Sequence, residues 1–136
     1  MNDTNKYYQD NASSFYSATV DIDMSAIYQQ FLPLIPKGGS ILDAGCGSGR
    51  DTLYFKSQVY NATAMDASAA LGKLAGDLLG QDVHCIGFED ITWQKQFDGV
   101  WACASLLHIS KQKLPSVMTR LAKSLKPGGV MYASFK

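Results

Sequence analysis

Ile41-Leu42-Asp43-Ala44-Gly45-Cys46-Gly47-Ser48-Gly49-Arg50-Asp51 reads as a short apolar strand that runs into three glycines at alternate positions and then into a helix. Glycines in that pattern permit positive φ angles and let a ligand approach the backbone closely. Free N–H groups at the start of the following helix favour polar or anionic groups. A dinucleotide-binding fingerprint would place Gly where Arg50 stands, so that the helix can pack tightly on the strand. Arg50 breaks that fingerprint, and a glycine-rich turn alone does not specify a cofactor class.

Working outward, the chain alternates strands and helices. Residues 50–58 (RDTLYFKSQ) read as a helix and Ala62 to Met65 as a second strand. Ser68 is placed to cap a third helix, whose Leu71, Leu74, Leu78 and Leu79 mark one face at helical spacing. Val83 to Phe88 is expected as a third strand and Phe97 to Cys103 as a fourth. Leu114, Val117, Met118, Leu121 and Leu125 define an amphipathic helix stopped by Pro127-Gly128-Gly129, and Val130 to Phe135 forms a fifth strand. Upstream, Ser25 is expected to cap a helix carrying Ile27, Phe31 and Leu32, disturbed at Pro33 and ended by Pro36-Lys37-Gly38-Gly39. Between the second helix and the second strand, Asn61 is expected to take a left-handed conformation in place of a glycine. Short apolar strands alternating with helices predict an α/β fold with a doubly wound, mostly parallel sheet. Its ligand belongs beyond the carboxyl ends of the strands, where the strand order reverses.

Composition narrows the class. The chain has 136 residues, 46% of them hydrophobic, which fits one domain over residues 1–136 with a substantial core and excludes wholesale disorder. The expected division is an N-terminal helical extension over 1–39 and a core over 40–136. No stretch approaches the roughly 20 apolar residues of a membrane span, and the N-terminus lacks the charge-then-apolar pattern of a secretory signal. Cys46, Cys85 and Cys103 form no CxxC or Cys/His cluster, so neither a disulfide framework nor a metal site is expected, and the cytoplasm is the default location. Twelve charges of each sign cancel, yet all twelve acids precede residue 99, while Lys111, Lys113, Arg120, Lys123, Lys126 and Lys136 follow it. We read these as a solvated face whose acidic complement lies in a further C-terminal part, rather than as a basic patch for nucleic acid.

Seventeen residues after Gly49 comes Asp66, at the end of the second strand. A carboxylate there can accept two hydrogen bonds from a ribose diol, a geometry common to nicotinamide and adenosyl cofactors. The competing role is a turn aspartate that works with Ser68.

The LDAGCGSGRD turn, the MDAS strand end, the FDGVWACASLLHIS segment and the LKPGG turn together resemble the class I S-adenosylmethionine (SAM)-dependent methyltransferases, nearest to the small tellurite-resistance-type and generic small-molecule subgroup. The resemblance implies that Gly45, Cys46 and Gly47 line the methionine and ribose portion of SAM. It implies that Asp43 helps hold the amino group, directly or through water, that Asp66 takes the ribose hydroxyls, and that Ala67 packs against the adenine. Glu89 and Asp90 are both candidates for the acid that receives the adenine amino group. Cys103 and Ala104 end the strand whose backbone faces the methyl group. His108 is a candidate general base or acceptor-orienting residue, with a structural role as its alternative. Arg50 either contacts the SAM carboxylate or pairs with an acid. Tyr7, Tyr8, Phe15 and Tyr16 either form a lid over the cofactor or pack against the first helix.

The expected function is methyl transfer from SAM to a small-molecule acceptor. Nucleic acid is disfavoured as the acceptor, and no membrane partner is expected. The rivals are an NAD(P)-binding oxidoreductase domain and a non-catalytic SAM-binding or interaction module. The complete family fold has seven strands, and this chain stops after the expected fifth. The expectation is therefore a truncated or naturally short form whose last strand has an apolar edge (Val130-Met131-Tyr132-Ala133) open to self-association.

Overall fold

The computed structural model describes residues 23–135, and the aromatic residues expected to form a lid, Tyr7, Tyr8, Phe15 and Tyr16, lie outside them. The chain runs through α1 (Ser25–Phe31), a 3-10 turn at Leu32–Leu34, β1 (Ser40–Ala44), α2 (Arg50–Ser57), β2 (Asn61–Met65) and α3 (Ala69–Leu79). A 3-10 turn at Phe88–Asp90, β3 (Phe97–Ala102), a 3-10 turn at Leu106–His108, α4 (Leu114–Ser124) and β4 (Leu125–Ala133) follow. The four strands are parallel in the order β2-β1-β3-β4. From β1 the chain steps outward to β2 and then returns to the other side of β1 for β3. A crevice therefore opens above the carboxyl end of β1.

The expected strand over Val83–Phe88 is not a strand. It is reduced to one parallel bridge between Met65 and His84. His84 donates its N–H to the Ala64 carbonyl and accepts from the Asp66 N–H, both at 3.0 Å. The Ile86 N–H then bonds back to the His84 carbonyl at 3.1 Å. That three-residue turn bends the chain off the sheet edge and across the crevice. The burial pattern was never that of a covered strand, since His84 and Cys85 are exposed.

Side chains alternate between two faces with the period of a strand. On one face Ile41, Ala62 and Trp101 meet Tyr28 and Phe31 of α1, Ile35, and Phe55 of α2. On the other, Leu42, Ala44, Val100 and Ala102 pack with Ile91, Leu106 and the Val117 and Leu121 face of α4. α3 buries Leu71, Ala75 and Leu79, and its Ala75 and Leu79 pack with Cys46 and Ala64. The sheet is thus covered on both faces.

Three local expectations are corrected. Ser25 is the first residue of α1 rather than its cap, and its N–H bonds to Asp23 Oδ1 at 2.9 Å. Asn61 begins β2 in extended backbone, and Val59 is the left-handed residue, at φ 69°. The cause is the end of α2: the Val59 N–H bonds to the Lys56 carbonyl and the Tyr60 N–H to the Phe55 carbonyl, both at 3.0 Å, a pairing that requires a left-handed residue at 59. The last strand starts at Leu125 instead of Val130, and its register with β3 shifts between Phe97 and Gly99 to absorb the Pro127-Gly128-Gly129 turn. Ser68 does cap α3, accepting the Leu71 N–H at 3.2 Å.

Three of the late basic residues find partners among the described residues. Lys113 meets Glu89 at 3.2 Å, Lys126 meets Asp98 at 3.4 Å, and Arg120 donates to the Ile91 carbonyl at 2.8 Å. Among the described residues no helix is long and apolar enough to cross a membrane.

Candidate functional site

Above the carboxyl ends of β2, β1 and β3 lies a cavity of about 640 Å³. Its floor is the glycine turn at 45–48, one wall is Asp66 and Ala67, and another is Ile86 to Asp90. The segment Cys103–Ser105 and then Leu107, His108 and Ile109 close it from the β3 side.

The turn is held from within. The Gly45 and Cys46 N–H groups donate to the Met65 carbonyl at 3.0 and 2.8 Å, and the Gly47 N–H donates to Asp66 Oδ2 at 2.8 Å. These three donors fasten the turn to the end of β2. Gly45 has φ 85°, and a Cβ there would stand 2.6 Å from the Ser105 Cβ. Glycine is required at 45 by conformation and by space alike, and the result is a thin cavity floor.

Asp66 has the turn role weighed for it. Its Oδ1 accepts the Ser68 N–H and its Oδ2 the Gly47 N–H, each at 2.8 Å, which shapes the turn. An ionised carboxylate has lone pairs beyond those two bonds, and Asp66 lines the cavity, so it retains capacity for a diol. Burial raises its pKa, and the two backbone N–H groups oppose the rise.

Of the expected cofactor residues, Gly45, Cys46, Gly47, Arg50, Asp66, Ala67, Glu89, Asp90 and Cys103 all line this one cavity, together with His108. Asp43 does not. It is 1% exposed and lies behind the turn, where its Oδ2 accepts the Thr52 hydroxyl at 2.6 Å. Burial and the neighbouring charge of Asp51 push its pKa up to about 8, against the opposing Thr52 hydrogen bond. Glu89 and Asp90, the two acids weighed for the adenine, are both exposed, and Glu89 is the one paired with Lys113. Burial also raises the thiol pKa of Cys46 and of Cys103, the latter against a hydrogen bond from Ser134, so neither is primed as a nucleophile.

Sequence reasoning missed two residues of consequence. Ser105 donates its hydroxyl to the Ala44 carbonyl at 2.8 Å, tying the end of β3 to that of β1. Asp51 is buried and accepts from Trp101 Nε1 at 2.8 Å, from Arg50 Nε and Nη2 at 2.9 and 3.1 Å, and from the Tyr28 hydroxyl. Ser105 sat inside a quoted motif without a distinguishing feature. Asp51 looked like a helix-start acid, and nothing near it in sequence announces Tyr28 or Trp101.

The family profile described as "Methyltransferase domain" matches residues 41–129, the stretch that carries the turn, Asp66 and the β3 segment. The chain belongs to the SAM-dependent methyltransferases. A curated relative, an uncharacterized methyltransferase of Synechocystis sp., is 31% identical over 120 residues, covering 83% of this chain and 56% of that protein. Among solved structures, a TehB-like SAM-dependent methyltransferase from Corynebacterium glutamicum superposes with a TM-score of 0.72 at 21% identity, over 94% of this chain and 71% of that one. The 1,6-didemethyltoxoflavin-N1-methyltransferase of Burkholderia thailandensis, solved with its substrate and S-adenosylhomocysteine, superposes at 0.68 with 23% identity, over 91% and 57%. These two likenesses establish a shared methyltransferase fold. This methyltransferase domain spans 24% to 56% of the length of the curated relatives it matches.

Proposed function

We propose that this domain binds SAM in the cavity above β1 and transfers its methyl group to a small-molecule acceptor. The observation that carries this reading is the convergence of the glycine turn, Asp66 and the Cys103–Ser105 segment on a single cavity large enough for an adenosyl ligand. The space a Cβ would take at Gly45 is filled by Ser105, which fixes the turn against the end of β3 as the cavity floor. Asp66 has lone pairs for the ribose hydroxyls, and Ala67 and Leu71 offer apolar surface beside it. Bound SAM supplies both the methyl group and its own leaving group. The protein's task is then in-line placement of the acceptor and exclusion of water, which explains why no catalytic triad is needed. His108 lines the cavity and is the side chain we assign to receiving or orienting the acceptor's proton. A small-molecule acceptor is supported by the modest size of the cavity, and the Burkholderia neighbour acts on such a compound.

Calorimetric titration with SAM, S-adenosylhomocysteine and NAD tests the reading directly. The two adenosyl compounds should bind and NAD should not, and binding of NAD alone would overturn it. Asp66→Ala should weaken S-adenosylhomocysteine binding by about 1–3 kcal/mol by leaving the ribose diol without its acceptor.

A further inference from the structure

Single exposed apolar side chains are ordinary on a protein surface, but apolar side chains that converge on one cavity from separate elements mark a ligand surface. Among the described residues the exposed large apolar side chains are Leu34, Leu53, Val59, Leu107 and Phe135. Leu107 and Phe135, 43% and 52% exposed, line the cavity above β1, and the other three do not. They reach it from two neighbouring strands. In the 3-10 turn after β3, Leu106 is buried in the core and leaves Leu107 on the outside. Ile109, half-buried on that same core, lines the cavity close by. On the other strand, the ladder between β3 and β4 continues through Ser134. Its N–H donates to the Ala102 carbonyl and its carbonyl accepts the Ala104 N–H, both at 3.1 Å. Phe135 is therefore the first residue beyond the pairing, at the rim of the cavity.

The charges at this end of the cavity cancel. Arg50 and Asp51 line it beside Cys103 and are bonded to each other at 2.9 and 3.1 Å. Asp66 stands away at the β2 end, and Glu89 and Asp90 belong to the facing wall, where Glu89 is paired with Lys113. An ion set on the apolar surface of Leu107, Ile109 and Phe135 would lose hydration and gain no partner. An uncharged aromatic ring would cover the two aliphatic side chains and pack against the Phe135 ring. Resting on the cofactor reading above, we propose that Leu107, Ile109 and Phe135 form the acceptor subsite, and that the acceptor is an uncharged aromatic compound bearing a hydroxyl or ring N–H. A lone pair of its oxygen or nitrogen forms the bond to the methyl carbon as the carbon–sulfur bond breaks and leaves its electrons on sulfur. The acceptor's proton passes to His108 or to water, so the products are the methylated ring, S-adenosylhomocysteine and one proton. Leu107 and Phe135 determine specificity, selecting a ring over an ion.

The test uses N-phenyl-1-naphthylamine, an uncharged aromatic compound whose fluorescence rises in apolar surroundings, and 8-anilinonaphthalene-1-sulfonate, the same ring system with an anionic group. Both are titrated into the full chain saturated with S-adenosylhomocysteine, so that the cofactor's part of the cavity is filled. The unaltered protein should prefer the uncharged probe. Leu107→Ala and Phe135→Ala should each weaken that probe about fivefold. Both variants should bind S-adenosylhomocysteine, measured calorimetrically, as the unaltered chain does. Leu34→Ala, which removes an exposed side chain away from the cavity, should change neither affinity. An uncharged probe that binds Leu107→Ala and Phe135→Ala undiminished, or that Leu34→Ala weakens as much, overturns the acceptor subsite and leaves the cofactor reading intact. Tighter binding of the sulfonate overturns the acceptor's assigned class in the same way. Failure of the unaltered protein to bind S-adenosylhomocysteine overturns the cofactor reading itself, and the acceptor subsite with it.

Discussion

Val59 is a β-branched residue with φ 69°, and 79% of its surface is exposed. It occupies the left-handed position that closes α2, where glycine is the usual occupant because a Cβ crowds the following carbonyl. No packing compensates for the strain. Val59→Gly should therefore stabilise the protein by about 0.5–1 kcal/mol, the relief of about 1–2 kcal/mol of strain less the entropy that glycine adds to the unfolded chain. Chemical denaturation should show a higher midpoint at an unchanged slope. At the same scale, Asp66 was readable in the sequence as a ligand acid or as a turn acid. The structure shows it in the turn, and one carboxylate has enough lone pairs for two backbone N–H groups and, in the proposed function, a ligand.

Among the elements, the docking of α1 and the turn after it onto β3 depends on Gly99. A Cβ there would lie 2.5 Å from Ile35 Cδ1 and 2.8 Å from Phe31 Cζ. Gly99→Ala should lift that layer from the sheet and cost about 1–3 kcal/mol, the usual range for overpacking. The variant should lower the melting temperature. The strands and helices themselves were largely legible, since α3 and α4 follow the apolar periodicity and α3 ends on Gly80. The strand expected over 83–88 was not. Its apolar content resembled a strand, but the Ile86-to-His84 turn depends on how the chain leaves the edge of β2.

For the molecule as a whole, the buried carboxyls govern the response to pH. Asp43 has a folded-state pKa raised to about 8 from 3.8, chiefly by burial and by the charge of Asp51. The folded protein therefore holds a proton that the unfolded chain has released across roughly pH 4–8, and stability falls as pH rises through that window. The raised pKa of Asp66 acts in the same direction. The slope from Asp43 is at most about 1.4 kcal/mol per pH unit. Asp43→Asn, which keeps the shape and stays neutral, should flatten the decline of the denaturation midpoint between pH 5 and 8, and an unaltered slope would place the linked proton elsewhere.

Sequence by itself determined the parts whose physics is local. The alternation of strands and helices, the glycine turn after β1, the acid at the end of β2 and the proline and glycine stops each depend on a few neighbouring residues. Tertiary structure alone decided which acids do which work. Asp43 and Asp51 stand eight residues apart in one motif, yet one is sealed behind the turn with Thr52 while the other anchors Arg50. That division rests on Tyr28 and Trp101, which approach Asp51 from 23 and 50 residues away along the chain. Spacing within a motif cannot encode it, because the burial and hydrogen bonding of a carboxyl are set by elements that meet only when the sheet is covered.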